Sequence, residues 1–126
     1  MTALSYRELV AWQKAIELVR LVYASTKRWP REETYGLTAQ IRRAAVSVAS
    51  NIAEGQGRGP TREFQHHLRI SYGSLMELET QAIIARDLGY LDAARYRDIT
   101  DATGNVGRLL NGLMTSLAVG RLTTDN

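Results

Sequence analysis

Residues 40–64 read QIRRAAVSVASNIAEGQGRGPTREF. Ile41, Ala44, Val48 and Ile52 recur at helical spacing, continuing a stripe that starts at Leu37. The run then enters Gly55, Gly57, Gly59 and Pro60. With Ala44 at zero and about 100° per residue, Leu37, Ile41, Val48 and Ile52 fall between about +20° and +80°, which is the expected core face. Gln40, Ser47, Asn51 and Glu54 fall between about −20° and −80°, with Arg43 slightly beyond. Val46, Ala49 and Ala53 lie roughly opposite the core. A helix of an isolated bundle should show water a polar back. This apolar, small-residue back therefore points to a second buried surface at Val46, Ala49 and Ala53, and the natural candidate is another copy of the chain.

Working outward, three more helices are expected. Segment one opens on Ser5-Tyr6-Arg7-Glu8, a capping-box pattern, and continues with Leu9, Trp12, Ile16, Val19 and Tyr23 until Pro30 stops it. Segment three starts at Pro60, with Glu63 in its first turn. Its stripe is Phe64, Leu68, Ser71, Leu75, Leu78, Ala82 and Ala85, and Gly89 supplies the C-terminal cap. Asp92 can cap segment four, which carries Ile99, Thr103, Val106, Leu110, Leu113 and Leu117. Gly104, Gly107 and Gly112 weaken that helix unless they allow close packing. The boundaries expected are about 6–29, 36–55, 60–88 and 92–119, with a frayed tail at 120–126. No alternating strand pattern and no repeat is present. The fold class is all-α: a single domain over 1–126, an antiparallel up-down-up-down four-helix bundle.

In an antiparallel pairing of segments two and three, facing residues sum to about 120. That sets Gln40 against Gln81, Arg43 against Glu77, Ser47 against Ser74, and Asn51 against His67. Together with Glu54, these residues read as a polar seam that fixes one helix pairing. A ligand or catalytic site along the same line is the alternative.

The totals narrow the function. A charged fraction of 23% with 44% hydrophobic residues describes a globular chain, not a disordered one. The chain has no cysteine, which removes disulfides, thiolate metal sites and cysteine nucleophiles. No apolar run reaches the roughly 20 residues of a membrane span, and the first residues lack a signal pattern. The expectation is a cytoplasmic protein with no membrane partner. Glu63-x-x-His66 is a lone motif, and its two histidines are adjacent, so no metal site is expected. No catalytic triad or carboxylate pair stands out, so catalytic residues, cofactors and a small-molecule substrate are not expected either.

The net charge is +3, and the excess sits on the first segment. There Arg7, Lys14, Arg20, Lys27, Arg28 and Arg31 face only Glu8 and Glu17. Lys27, Arg28 and Arg31 form a compact cluster. The GQGRG turn lacks the strand and the Lys-Ser/Thr of a phosphate loop and reads as a helix–helix corner. Arg58 and Arg62 still flank a helix N-terminus that can hold one anion.

The stretches LVAWQKAIELV (9–19), EETYGLTAQIRRAAVSVASNIAEGQGR (32–58), EFQHHLRISYGSLMELETQ (63–81) and LGYL (88–91) resemble the four-helix bundle proteins encoded in bacterial 23S rRNA intervening sequences. The run Asn51-Ile52-Ala53-Glu54-Gly55 is the most specific carrier. That family is related to the accessory variability protein of diversity-generating retroelements. The resemblance implies a bacterial, non-enzymatic, homo-pentameric barrel. It also implies a basic surface for RNA or DNA, or for a nucleic-acid-processing protein. The residues expected to meet phosphates are Lys27, Arg28 and Arg31, then Arg58 and Arg62. The alternative is an adaptor whose protein partner handles nucleic acid.

Overall fold

The computed structural model describes residues 5–124. Its elements are a 3-10 turn at Tyr6–Glu8, α1 at Val10–Thr26, a second 3-10 turn at Arg31–Glu33, α2 at Leu37–Arg58, α3 at Thr61–Asp87 and α4 at Ala93–Thr124. The described residues contain no strand.

Segment one is not one helix from 6 to 29. Ser5 Oγ accepts from Arg7 N at 3.2 Å, which caps a 3-10 turn, and Leu9 is extended before α1 begins. At the other end, the Thr26 hydroxyl donates back to the Val22 carbonyl at 2.9 Å, and the chain leaves the helix well before Pro30. The buried stripe of α1 is Ala11, Ala15, Leu18, Val22 and Thr26. The expected stripe is displaced: Trp12, Ile16 and Val19 are half-buried against the core, and Tyr23 is exposed. The central line carries the small Ala11 and Ala15 in the first half of α1 and the large Leu18 and Val22 in the second, while Trp12, Ile16 and Val19 pack along its flank.

In α2 the expected stripe is buried, and so are Thr38, Ala45 and Ala49. The buried arc is therefore about 140° wide, because α2 packs against both α1 and α3. Helix α2 passes through Gly55 and Gly57 instead of ending there, and the reversal needs only Gly59, whose φ is 93°. Pro60 stays extended just outside α3. Gly55 has a different use. A Cβ placed there would lie 2.6 Å from His67 Cβ, so α2 and α3 touch backbone-close at this point.

Helices α2 and α3 run antiparallel. Ser47 meets Ser74, and Asn51 meets His67. The inner stripe of α3 is buried from Leu68 to Ala85. Tyr90 N donates to Ala85 O at 2.8 Å and Gly89 N to Arg86 O at 3.0 Å, the paired bonds of a Schellman cap. Asp92 Oδ1 accepts from Arg95 N at 2.7 Å and caps α4. In α4, Ile99, Thr103, Val106 and Leu110 are buried, with Leu113 and Leu117 half-buried. Gln65 Nε2 donates to Met114 O at 2.8 Å and ties α3 to α4. Of the α4 glycines, a Cβ at Gly107 would come into ordinary contact with Leu75 and Tyr72, whereas one at Gly112 would meet no described residue within 4 Å. Helix α4 continues to Thr124, past the expected end at 119, and the last two residues of the expected tail lie outside the described range. Among the described residues, no helix is long and apolar enough to cross a membrane.

Candidate nucleic-acid interface

The end of α1, the loop 27–36 and the start of α2 form the basic end of the bundle. Lys27, Arg28 and Arg31 are exposed there, and none forms an ion pair with a described residue. Glu33 faces inward instead. Its Oε1 accepts from Leu37 N at 3.1 Å and caps α2, while Oε2 accepts from the Tyr90 hydroxyl at 3.0 Å. That bond, with burial in support, raises the Tyr90 pKa. The Trp29 ring packs 5.6 Å from Tyr90. These contacts pin the loop to the α3–α4 corner.

A cleft of about 460 Å³ opens beside this loop. Tyr23, Lys27, Trp29, Tyr35, Thr38, Arg42 and Arg43 are on its walls, and no carboxylate residue is. Arg42 is held in two ways. Its Nε donates to Thr26 Oγ1 at 2.8 Å, and its guanidinium sits 4.5 Å from the centre of the Tyr23 ring. Of these residues, sequence reasoning had proposed only Lys27 for phosphate contact and had put Arg43 in the seam. The available signal was the tandem Arg42-Arg43, whose members point about 100° apart. Arg42 therefore leans toward α1 while Arg43 stays near the α2–α3 groove.

Arg58 and Arg62 sit at the opposite end of α2. Arg58 Nη2 bonds Glu54 Oε1 at 2.8 Å, so it is neutralised locally. This bond holds the Glu54 carboxyl below its ordinary range and raises the Arg58 guanidinium. Glu54 is therefore in an exposed ion pair with Arg58 and does not belong to the seam. Arg62 is exposed at the start of α3.

The central seam is a continuous chain of hydrogen bonds. Ser74 Oγ and Ser47 Oγ are 2.8 Å apart. Asn51 Nδ2 donates to Ser47 O and Oγ at 2.9 and 3.1 Å. Asn51 Oδ1 lies 3.1 Å from His67 Nδ1, which requires the His67 proton on Nδ1. Ser71, expected only as part of the core stripe, adds a cross-helix bond to Val48 O at 2.8 Å. The outer pairs behave otherwise. Gln40, Arg43, Glu77 and Gln81 line an open groove of about 400 Å³, and no hydrogen bond or ion pair joins Gln40 to Gln81 or Arg43 to Glu77 among the described residues. Gln40, Arg43 and Glu77 are exposed, where water competes with pairing.

The expected self-interface on α2 needs correction. Ala49 is 5% exposed and Ala53 half-buried, leaving only Val46 open at 41%. Ala49 lies on the same side of α2 as Arg42, the side that α1 covers.

The profile of a family described as 23S rRNA-intervening sequence protein matches residues 7–112. Among curated proteins none matches the chain. The fold is similar to the crystal structure of a protein with unknown function from the S23 ribosomal protein family of Bacteroides thetaiotaomicron. The TM-score is 0.75 at 22% identity, over 83% of this chain and 98% of that one.

Proposed function

The chain belongs to the 23S rRNA-intervening sequence protein family, and from that premise we propose a non-enzymatic, homo-oligomeric bundle that binds RNA or DNA through backbone phosphates without reading base sequence. Each protomer is an up-down-up-down bundle, five protomers form the ring, and the protein works in the bacterial cytoplasm. One observation carries the reading: Lys27, Arg28 and Arg31 stand exposed, with no ion pair to a described residue, beside a cleft that has cations and aromatics on its walls but no carboxylate. Phosphate contacts of this kind supply sequence-independent affinity. Repetition around a ring multiplies a modest patch into a substantial field.

Self-association is supported by the outer face of α3. Ile70, Met76, Ile83 and Ile84 are each between 37% and 43% exposed. With Gly73 and Thr80 between them, they form a second, largely apolar stripe at helical spacing that Glu77 interrupts. The same face also favours the second reading, a protein-binding adaptor whose partner handles nucleic acid.

The test is oligonucleotide binding by the purified protein at two salt concentrations, with the assembly mass measured in the same run. Tight binding that falls steeply with salt, by a pentamer, is expected. Replacing Lys27, Arg28 and Arg31 by glutamate should weaken binding and flatten its salt slope. No binding at low salt would shift the choice to the adaptor, and a monomeric mass would remove the ring.

A further inference from the structure

We propose that the cleft between the end of α1 and the start of α2 seats one backbone phosphate of a single-stranded nucleic acid, with the adjoining base stacked on Tyr35. The inference deepens the nucleic-acid reading above and rests on it.

The cleft carries buried donors without acceptors. Thr38 lines it and is 7% exposed, and its Oγ1 is sealed from water with no hydrogen-bond partner. Trp29 also lines it, and its indole Nε1 is buried and unpartnered. Buried donors are normally satisfied, because an unsatisfied one is costly. Both atoms lie just behind the cleft wall, and a ligand rich in acceptor oxygens reaches them once the Thr38 and Trp29 side chains turn outward.

The charge has the matching sign. Lys27, Arg42 and Arg43 line the cleft without a carboxylate among them. Arg42 is already oriented by Thr26 and Tyr23, so its terminal amino groups can meet an oxyanion with little further ordering. The start of α2 is already capped by the Glu33 carboxylate, so it offers a ligand only its remaining first-turn amides. Glu33 occupies the amide of Leu37, and those of Thr38 and Ala39 lie next in line. A phosphate, with its negative charge and acceptor oxygens, fits the three cations of the cleft.

Tyr35 fixes the class of phosphate. Its side chain is 95% exposed at the rim of the cleft. An aromatic ring held in water beside a phosphate seat is a stacking platform for an unpaired base. Bases in a duplex are already stacked on each other and cannot use it. The cleft volume is within the roughly 300–1,000 Å³ range of small-ligand sites, enough for one nucleotide unit.

The experiment uses the full chain in its native assembly and fluorescein-labelled (dT)15, with a duplex of the same length for comparison. Tyr35→Ala should weaken single-strand binding about tenfold and leave duplex binding unchanged. Arg43→Gln should weaken it by a similar factor and reduce the salt slope by about 0.7. Arg108→Gln, which removes an exposed cation that does not line the cleft, should change neither. All three positions are exposed, and circular dichroism checks that the helices survive. A second readout is the fluorine resonance of 5-fluorotryptophan at position 29, assigned with Trp29→Phe, during titration with inorganic phosphate. A shift of that signal that Thr38→Val reduces supports the seat. If the wild type binds (dT)15 and the Tyr35 and Arg43 variants bind equally well, the cleft assignment is overturned while the nucleic-acid reading stands. If no oligonucleotide binds but phosphate shifts the signal, the nucleic-acid reading fails and the cleft remains as an anion site. If neither occurs, both fall.

Discussion

Replacing Gly55 by alanine tests how α2 and α3 are held together. The new Cβ would lie 2.6 Å from His67 Cβ, 3.1 Å from Phe64 Cδ1 and 3.3 Å from Phe64 O. Carbon atoms in contact prefer about 3.5–4.0 Å, so the first distance is about 1 Å too short. A Cβ is fixed to its backbone, and no rotamer change at His67 relieves the clash. Helix α3 must move as a body. Overpacking of this kind costs about 1–3 kcal/mol. The shift also strains the bond between His67 and Asn51, which is worth about 1 kcal/mol. Alanine's better helix propensity returns about 1 kcal/mol. The expected net destabilisation is about 1–3 kcal/mol.

The assay is urea unfolding at one fixed protomer concentration, since assembly makes apparent stability depend on concentration. Gly57→Ala and Gly112→Ala are the controls. Nothing lies within 4 Å of the Cβ they would add, so both should gain about 0.5–1 kcal/mol. If Gly55→Ala proves as stable as Gly57→Ala, the close approach of α2 and α3 is wrong as described here.

Three further outcomes follow from contacts already described. Tyr90→Phe removes the donor to Glu33, and its effect should depend on pH. Because the folded state raises the Tyr90 pKa, the protonated phenol contributes stability below the ordinary value of about 10, and that contribution is lost as pH rises through the raised value. Paired unfolding curves should thus show a constant gap between wild type and Tyr90→Phe from pH 6 to 9 and a shrinking gap at higher pH; a gap that persists at high pH counts against the bond. Asp92→Ala should cost about 1 kcal/mol through loss of the cap on Arg95 N, with most of it recovered in Asp92→Asn. A double-mutant cycle of Arg43→Ala and Glu77→Ala should give a coupling below about 0.3 kcal/mol, and a coupling above about 1 kcal/mol would mean the two charges do pair.

The core stripes of α2, α3 and α4 were legible because their apolar residues keep strict helical spacing and are buried where that spacing puts them. The stripe of α1 was misread because the helix carries two adjacent apolar lines at helical spacing, Ala11-Ala15-Leu18-Val22 and Trp12-Ile16-Val19-Tyr23, and it is the first that is buried. Periodicity alone does not choose between neighbouring lines of the same spacing. The antiparallel sum found the inner pairs Ser47–Ser74 and Asn51–His67, since a register rule needs no knowledge of side-chain length. It could not say that Arg43 and Glu77 would stay in water. The cleft was illegible for another reason. Trp29 and Tyr35 belong to a loop without period, and only its anchoring through Glu33 and Tyr90 brings them beside Arg42.

The spacing between α2 and α3 also accounts for the position of Arg43. At Gly55 the helices meet backbone to side chain, and from His67 to Ser74 their polar residues are fully engaged with each other. One turn further on, the same two faces line an open groove, and Arg43 borders both that groove and the basic cleft. Had the tight contact continued along the whole length, Arg43 would be drawn against Glu77 and its charge spent inside the bundle. The end of α2 that contains Gly55 also neutralises its own arginine, Arg58, against Glu54. Register is therefore fixed at one end of the helix pair, while at the other Arg43 forms no ion pair with a described residue. The phosphate-binding surface proposed above requires cations that the fold holds in place without neutralising them, and Arg43 meets that requirement.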